Sequence, residues 1–224
     1  MMSTQFTSVF KLKLRYIAAI AAIIWMGFFS SPQPALAHHA TGGKIPSNFF
    51  EGFLSGLAHP LIGLDHFAFV VAIGLLAAGQ VRGALLPAGF IVAAMAGTGI
   101  HLLKLDLPGA EVAIALSVIV FGAMLIWQNR PSWYVLGCLA AISGLFHGYA
   151  YGEAIVGAQM TELFAYLLGF SLIQYAVALI AFQVGNALLK SNNQIPWFRL
   201  AGLAICSIGV VFLTSSMLGY IMFD

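Results

Sequence analysis

Two histidines and an aspartate, His59, Asp65 and His66, fall within one apolar stretch, Ser55-Gly-Leu-Ala-His-Pro-Leu-Ile-Gly-Leu-Asp-His66. Imidazole with carboxylate is a ligand set for Ni, Co, Zn or Cu. An ionisable side chain in hydrocarbon costs kilocalories and is rare there unless it serves an ion or substrate path. Pro60 removes a backbone donor and Gly63 tolerates unusual dihedrals, so the stretch reads as a metal-handling site on a broken transmembrane helix. The plainer alternatives are structural. His59 could bond a carbonyl freed by Pro60, and Asp65 and His66 could pair to hold a bundle together. Structural polar residues inside spans are usually uncharged Ser, Thr or Asn, which favours the functional reading.

A second segment echoes the first. Ser143-Gly-Leu-Phe-His147 matches Ser55-Gly-Leu-Ala-His59, and each histidine has an acid six residues later, Asp65 and Glu153. Further candidates are Glu111, which follows Pro108 at a helix start where a carboxylate also suits the helix dipole, and the adjacent His38 and His39. His101, beside Lys104 and Asp106, reads as an interfacial residue. One metal held by both His59 and His66 needs a break in the helix. In an unbroken helix residues seven apart stand ~10.5 Å apart along the axis, whereas two nitrogens each ~2 Å from one ion cannot be more than about 4 Å apart. A continuous helix would instead offer two successive stations.

The elements that position these residues are membrane helices. The chain has 224 residues, is 61% hydrophobic and 7% charged, and has a mean hydropathy of +0.98. This excludes a soluble domain and indicates an all-α polytopic membrane protein. Lys11–Arg15, the apolar run Tyr16–Phe29 and Pro34-Ala-Leu-Ala37 read as a secretory signal over 1–37, cleaved to leave His38 at the N-terminus. A free amine beside two histidines would then make a metal-capture tag. Residues 38–224 form the transmembrane domain, with six apolar segments at roughly 49–79, 84–103, 109–127, 132–150, 160–189 and 197–222. The two echoed segments are three spans apart and run in opposite directions, the pattern of a 3+3 inverted repeat with a site at the midplane.

Charge gives an orientation. Without Lys11, Lys13 and Arg15, six basic residues stand against seven acidic ones, so nothing points to nucleic acid. Arg82, Arg130, Lys190 and Arg199 fall on one side. Lys44, Glu51, Lys104, Asp106, Glu111, Glu153, Glu162 and Asp224 fall on the other, which places both mature termini outside by the positive-inside rule. Candidate ligands then run from the midplane to the outer face, as capture of a cation from outside requires. Cys138 and Cys206 lie in apolar runs and read as small buried residues. Lack of thiolate argues against a Cu(I) carrier, and no Walker-type loop supplies ATP drive. A divalent cation moving inward through ~100 mV gains about 4.6 kcal/mol, at ~2.3 per charge.

His-Pro-Leu-Ile-Gly-Leu-Asp-His at 59–66 and Phe-His-Gly-Tyr-Ala-Tyr-Gly at 146–152 resemble the two signature motifs of the HupE/UreJ family. The resemblance extends over the mature chain, including Leu107-Pro-Gly-Ala-Glu111. It implies a small protein of the bacterial inner (plasma) membrane that acts as a nickel or cobalt permease for hydrogenase or urease maturation. The family's second motif reads His-Gly-His-Ala-His-Gly; here Tyr149 and Tyr151 replace two histidines, removing two nitrogen ligands. The leading expectation is a secondary permease for Ni2+ or Co2+, with Zn2+ a further cargo and no tightly bound cofactor. His59, Asp65, His66 and His147 would form its central site. An intramembrane metallohydrolase, with Asp65 or Glu153 activating water on Zn2+, is weakened by the lack of HExxH and of an evident nucleophile. A non-transporting partner of a metalloenzyme assembly line is the third reading. A retinal protein is disfavoured because no lysine lies mid-span.

Overall fold

The computed structural model describes residues 44–127, 131–191 and 196–223. The expected signal segment 1–37, its cleavage site, and His38 and His39 lie outside the described residues. So do Arg130 and Asp224.

Seven helices make up the described chain: α1 Phe49–Ile62, α2 Leu64–Ala77, α3 Leu85–Leu102, α4 Ala110–Ile126, α5 Trp133–Glu153, α6 Met160–Lys190 and α7 Trp197–Phe223. Four of them (α3, α5, α6 and α7) are long and apolar enough to cross a membrane, and the bent pair α1–α2 is a fifth if it is counted as one span. The segment expected as the third span is α4, whose 17 residues give about 25 Å at 1.5 Å per residue. That is at the short end of what the hydrocarbon core requires. Each of the six apolar segments thus contains helix, and by length four or five of them qualify as spans.

The helix ends follow from local chemistry. At the start of α1 the Asn48 side chain accepts from the Glu51 N–H, and the Glu51 carboxylate accepts from the Ser47 N–H at 2.8 Å and hydroxyl at 2.9 Å. These bonds satisfy donors that the first helical turn leaves open. Ser132 caps α5 through the Val135 N–H. The expected break is present, but Pro60 is not where it occurs. Proline sits inside the last turn of α1, and the axis bends by 79° at Gly63. There φ is −70° and ψ is 99°, a conformation open to any residue. Glycine instead leaves space for a side chain, since a Cβ would lie 2.6 Å from Cδ2 of the His66 ring.

Helix α2 is the central element. Apart from half-exposed Phe67 and Val71, it is buried from Asp65 to Ala77, packed against α4, α6 and α7. Around it α3 pairs with α5, α1 with α6, and α4 with α7. Small residues allow these backbones to approach closely, as in membrane helix packing generally. The echoed segments pack alike: Gly56 of α1 lies on the Tyr166 carbonyl and Phe170 amide of α6. Gly144 of α5 lies on the Phe90 carbonyl and Ala94 amide of α3. They also run in opposite directions. Gly52 near the start of α1 meets the backbone of Glu162, and Gly152 at the end of α5 meets His101, all at one end of the bundle. At the other end Trp133 donates to the Arg82 carbonyl at 3.4 Å, and the Gly79 N–H donates to Asn186 at 2.9 Å.

Candidate metal site

The bend at Gly63 turns the start of α2 back toward the end of α1. His59 and His66 therefore stand with ring centroids 6.0 Å apart, instead of the ~10.5 Å axial separation of a straight helix. His66 reaches across to α5, where its Nδ1 lies 2.8 Å from Nδ1 of His147. All three histidines are buried, and His147 completely so. The His147 ring packs between Phe69 at 4.5 Å and Phe90 at 5.6 Å. Three imidazoles from α1, α2 and α5 are thereby gathered deep in an apolar bundle.

The tyrosines of the second motif face these histidines. Tyr151 is fully buried, with its ring 4.6 Å from His66 and 5.2 Å from His59. Its hydroxyl donates to Gln174 at 3.0 Å, and Gln174 in turn donates to the Phe170 carbonyl at 3.1 Å. Tyr166, also against His59 at 6.3 Å, donates to the Tyr151 carbonyl at 2.9 Å. The aromatic wall is therefore fixed by its own hydrogen bonds. Tyr149 packs on His101 at 4.5 Å instead. His101 is half-buried rather than exposed at the interface, and its Nδ1 is buried with no hydrogen-bond partner.

The carboxylates are placed differently from the histidines. Asp65 is buried, and its Oδ1 accepts the backbone N–H of His66 at 2.9 Å within the first turn of α2. A helix N-terminus carries partial positive charge, so this carboxylate offsets a dipole aimed at the histidines. It bonds the backbone of His66. Glu153 is the last residue of α5 and exposed, and Glu111 is exposed in the first turn of α4. Glu153 is six residues from His147, about 9 Å along a helix axis. Among the described residues, no three His, Cys, Asp or Glu side chains converge as a ready-made group for one metal. The histidines expected from the sequence do come together, and Asp65 stands beside His66 in the first turn of α2.

Three polar residues escaped the sequence reading. Ser117 of α4 lies with its Oγ 2.9 Å from Nε2 of His147. Gln174 anchors Tyr151. Glu162, counted only among the outer-side charges, is buried in the first turn of α6 with Oε2 unpartnered. Ser117 had a legible signal: it is the lone polar residue between Val112 and Ile126. Burial of Glu162 follows from its backbone packing on Gly52, which no local pattern encodes.

Comparison with known proteins gives one consistent result. The family profile described as HupE / UreJ protein matches residues 26–212. Protein HupE of Rhizobium leguminosarum bv. viciae is 29% identical over 185 residues, covering 80% of this chain and 91% of that relative. No solved structure matches.

Proposed function

Since this chain belongs to the HupE/UreJ family, we propose that it carries a divalent transition-metal ion, Ni2+ or Co2+, inward across the bacterial inner membrane. The observation that carries the reading is the buried trio of His59, His66 and His147, with two ring nitrogens 2.8 Å apart on helices of opposite direction. Imidazole suits Ni2+, Co2+ and Zn2+. Buried histidines inside a membrane bundle are expected on ion paths rather than in passive packing.

The arrangement suits transfer better than storage. A permeant ion must bind well enough to enter yet weakly enough to leave. His59 and His66, close but not preassembled into one ligand shell, meet that condition. His59 would receive the ion from the outer side and His66 would take it deeper, with Asp65 keeping the start of α2 in place. Glu111, Glu153, His38 and His39 would serve as outer capture groups. The six-span layout, the signal peptide and outward-facing termini belong to the same proposal, as does a supply role in hydrogenase or urease maturation. The membrane potential suffices as drive: about 4.6 kcal/mol for a divalent ion at ~100 mV corresponds to more than 10³-fold accumulation at roughly 1.4 kcal/mol per decade.

The test is uptake of Ni2+, Co2+, Zn2+ and Mn2+ into proteoliposomes under an inside-negative potential. Potential-dependent uptake of Ni2+ or Co2+ is expected, with Mn2+ excluded. Failure to move any of the four ions would overturn the transport reading. Metal-dependent hydrolysis by the same purified protein would replace it with the hydrolase.

A further inference from the structure

His66, His147 and Ser117 come from three helices and form one hydrogen-bonded line. The Ser117 Oγ lies 2.6 Å from the Ile114 carbonyl and 2.9 Å from Nε2 of His147, and Nδ1 of His147 lies 2.8 Å from Nδ1 of His66. The direction of every bond can be assigned from one end. A carbonyl can only accept, so the single hydroxyl proton of Ser117 goes to Ile114. The Ser117 oxygen must then accept from His147, which places a proton on Nε2 of that ring. A neutral imidazole has one N–H, the other nitrogen being an acceptor. His147 is completely buried among Phe69, Phe90 and His66, where an unpaired cation is strongly disfavoured. Its Nδ1 is therefore the acceptor, and Nδ1 of His66 is the donor. In neutral His66 the lone pair consequently resides on Nε2.

We propose that Ser117 is a positioning residue which, through His147, fixes His66 in the Nδ1–H tautomer so that Nε2 of His66 meets the metal. The inference rests on the metal-carrier reading for its functional consequence. It gives His147 a different role from the ligand expected by sequence: His147 orients the ligand and does not hold the ion. A metal-bound histidine characteristically donates its other N–H to a fixed acceptor, which sets ring orientation and raises basicity, and losing that acceptor lowers metal affinity or activity by about 10–100-fold. Here the acceptor is itself a histidine, and only the bond to Ser117 determines which of its nitrogens accepts. Without the serine, His147 can carry its proton on either nitrogen, and the direction of the His66 bond is no longer fixed.

Two measurements on the full chain test this. Nitrogen-15 spectra of histidine-labelled protein in lipid, without metal, should show His66 protonated at Nδ1 and His147 at Nε2. The Ser117→Ala variant should show mixed tautomers at both. Ni2+ titration should show Ser117→Ala binding about 10–100-fold more weakly than the parent, with an unchanged melting temperature. Ser117→Thr keeps the hydroxyl at a half-buried position and should restore both the spectrum and the affinity. His66 protonated at Nε2 in the parent, or an Ala variant with the parent's tautomers and affinity, overturns the proposal. A parent that shows the expected tautomers yet neither binds nor transports Ni2+ or Co2+ refutes the carrier reading and leaves the tautomer assignment standing.

Discussion

His66 is the residue whose loss should cost the most. It is buried, lies 2.8 Å from His147, and has Tyr151 on one ring face at 4.6 Å. His66→Ala should abolish uptake of Ni2+ or Co2+ while leaving the amount of folded protein in the membrane unchanged. His101→Ala should be mild, because His101 sits in the last turn of α3 and packs on Tyr149, outside the central trio. Equal uptake by the His66 variant and the parent would sink the central site. Protonation gives a second check with a definite sign. Imidazolium cannot ligate, so uptake should fall once the medium is acid enough to protonate the buried histidines. Uptake that persists unchanged down to the acid limit of the folded protein would argue against histidine ligation.

At the scale of elements, the break and the helix contacts make separable predictions. Gly63→Ala asks for no new backbone conformation, yet its Cβ would meet the His66 ring at 2.6 Å. The variant should fold and melt near the parent but lose metal affinity, because the ring must move. Tight glycines should behave in the opposite way. Gly56→Ala and Gly148→Ala would drive a Cβ into the Tyr166 and Ala94 carbonyls, respectively. Overpacking of this kind destabilises by about 1–3 kcal/mol, readable as a lower melting temperature in detergent. Gly89 is an internal control: nothing lies within 4 Å of its would-be Cβ. Gly89→Ala should be neutral or stabilise by about 0.5–1 kcal/mol through helix propensity. Similar melting of the Gly56, Gly148 and Gly89 variants would mean that close helix approach does not limit stability.

Across the whole molecule, charge sorts with the two ends of the bundle. Lys44, Glu51, Lys104, Asp106, Glu111, Glu153 and Glu162 gather at the end where Gly52 meets Glu162 and Gly152 meets His101. Arg82, Lys190 and Arg199 lie at the end joined by the Trp133 and Asn186 hydrogen bonds. Cysteine introduced at Lys104 should therefore react with a membrane-impermeant thiol reagent from outside, and cysteine at Arg82 only after permeabilisation. The reverse result would invert the proposed direction of transport. N-terminal sequencing of membrane-extracted protein should begin at His38. A retained Met1 or Met2 would add a span and remove the outer capture tag, without touching the central histidines.

The sequence by itself determined the class, the helical segments and the discontinuity near Gly63. Hydropathy over some twenty residues and a local interruption are properties of contiguous chain. It also singled out His59, His66 and His147, because ionisable groups in apolar runs are conspicuous wherever they end up. Only the tertiary structure decided what these residues touch. The His66–His147 bond, Ser117 behind it, and the Tyr151 wall join α2, α4 and α5 across intervals of 81 and 30 residues, and no local periodicity records such distances. The same holds for two acids. The Asp65 carboxylate accepts the N–H of His66 in the first turn of α2, a turn that the bend at Gly63 creates. Glu162, counted with the outer-side charges, is buried, and its backbone packs on Gly52. Composition decides whether a polar group sits in a span; helix packing decides whether it binds an ion, orients a neighbour or closes a helix.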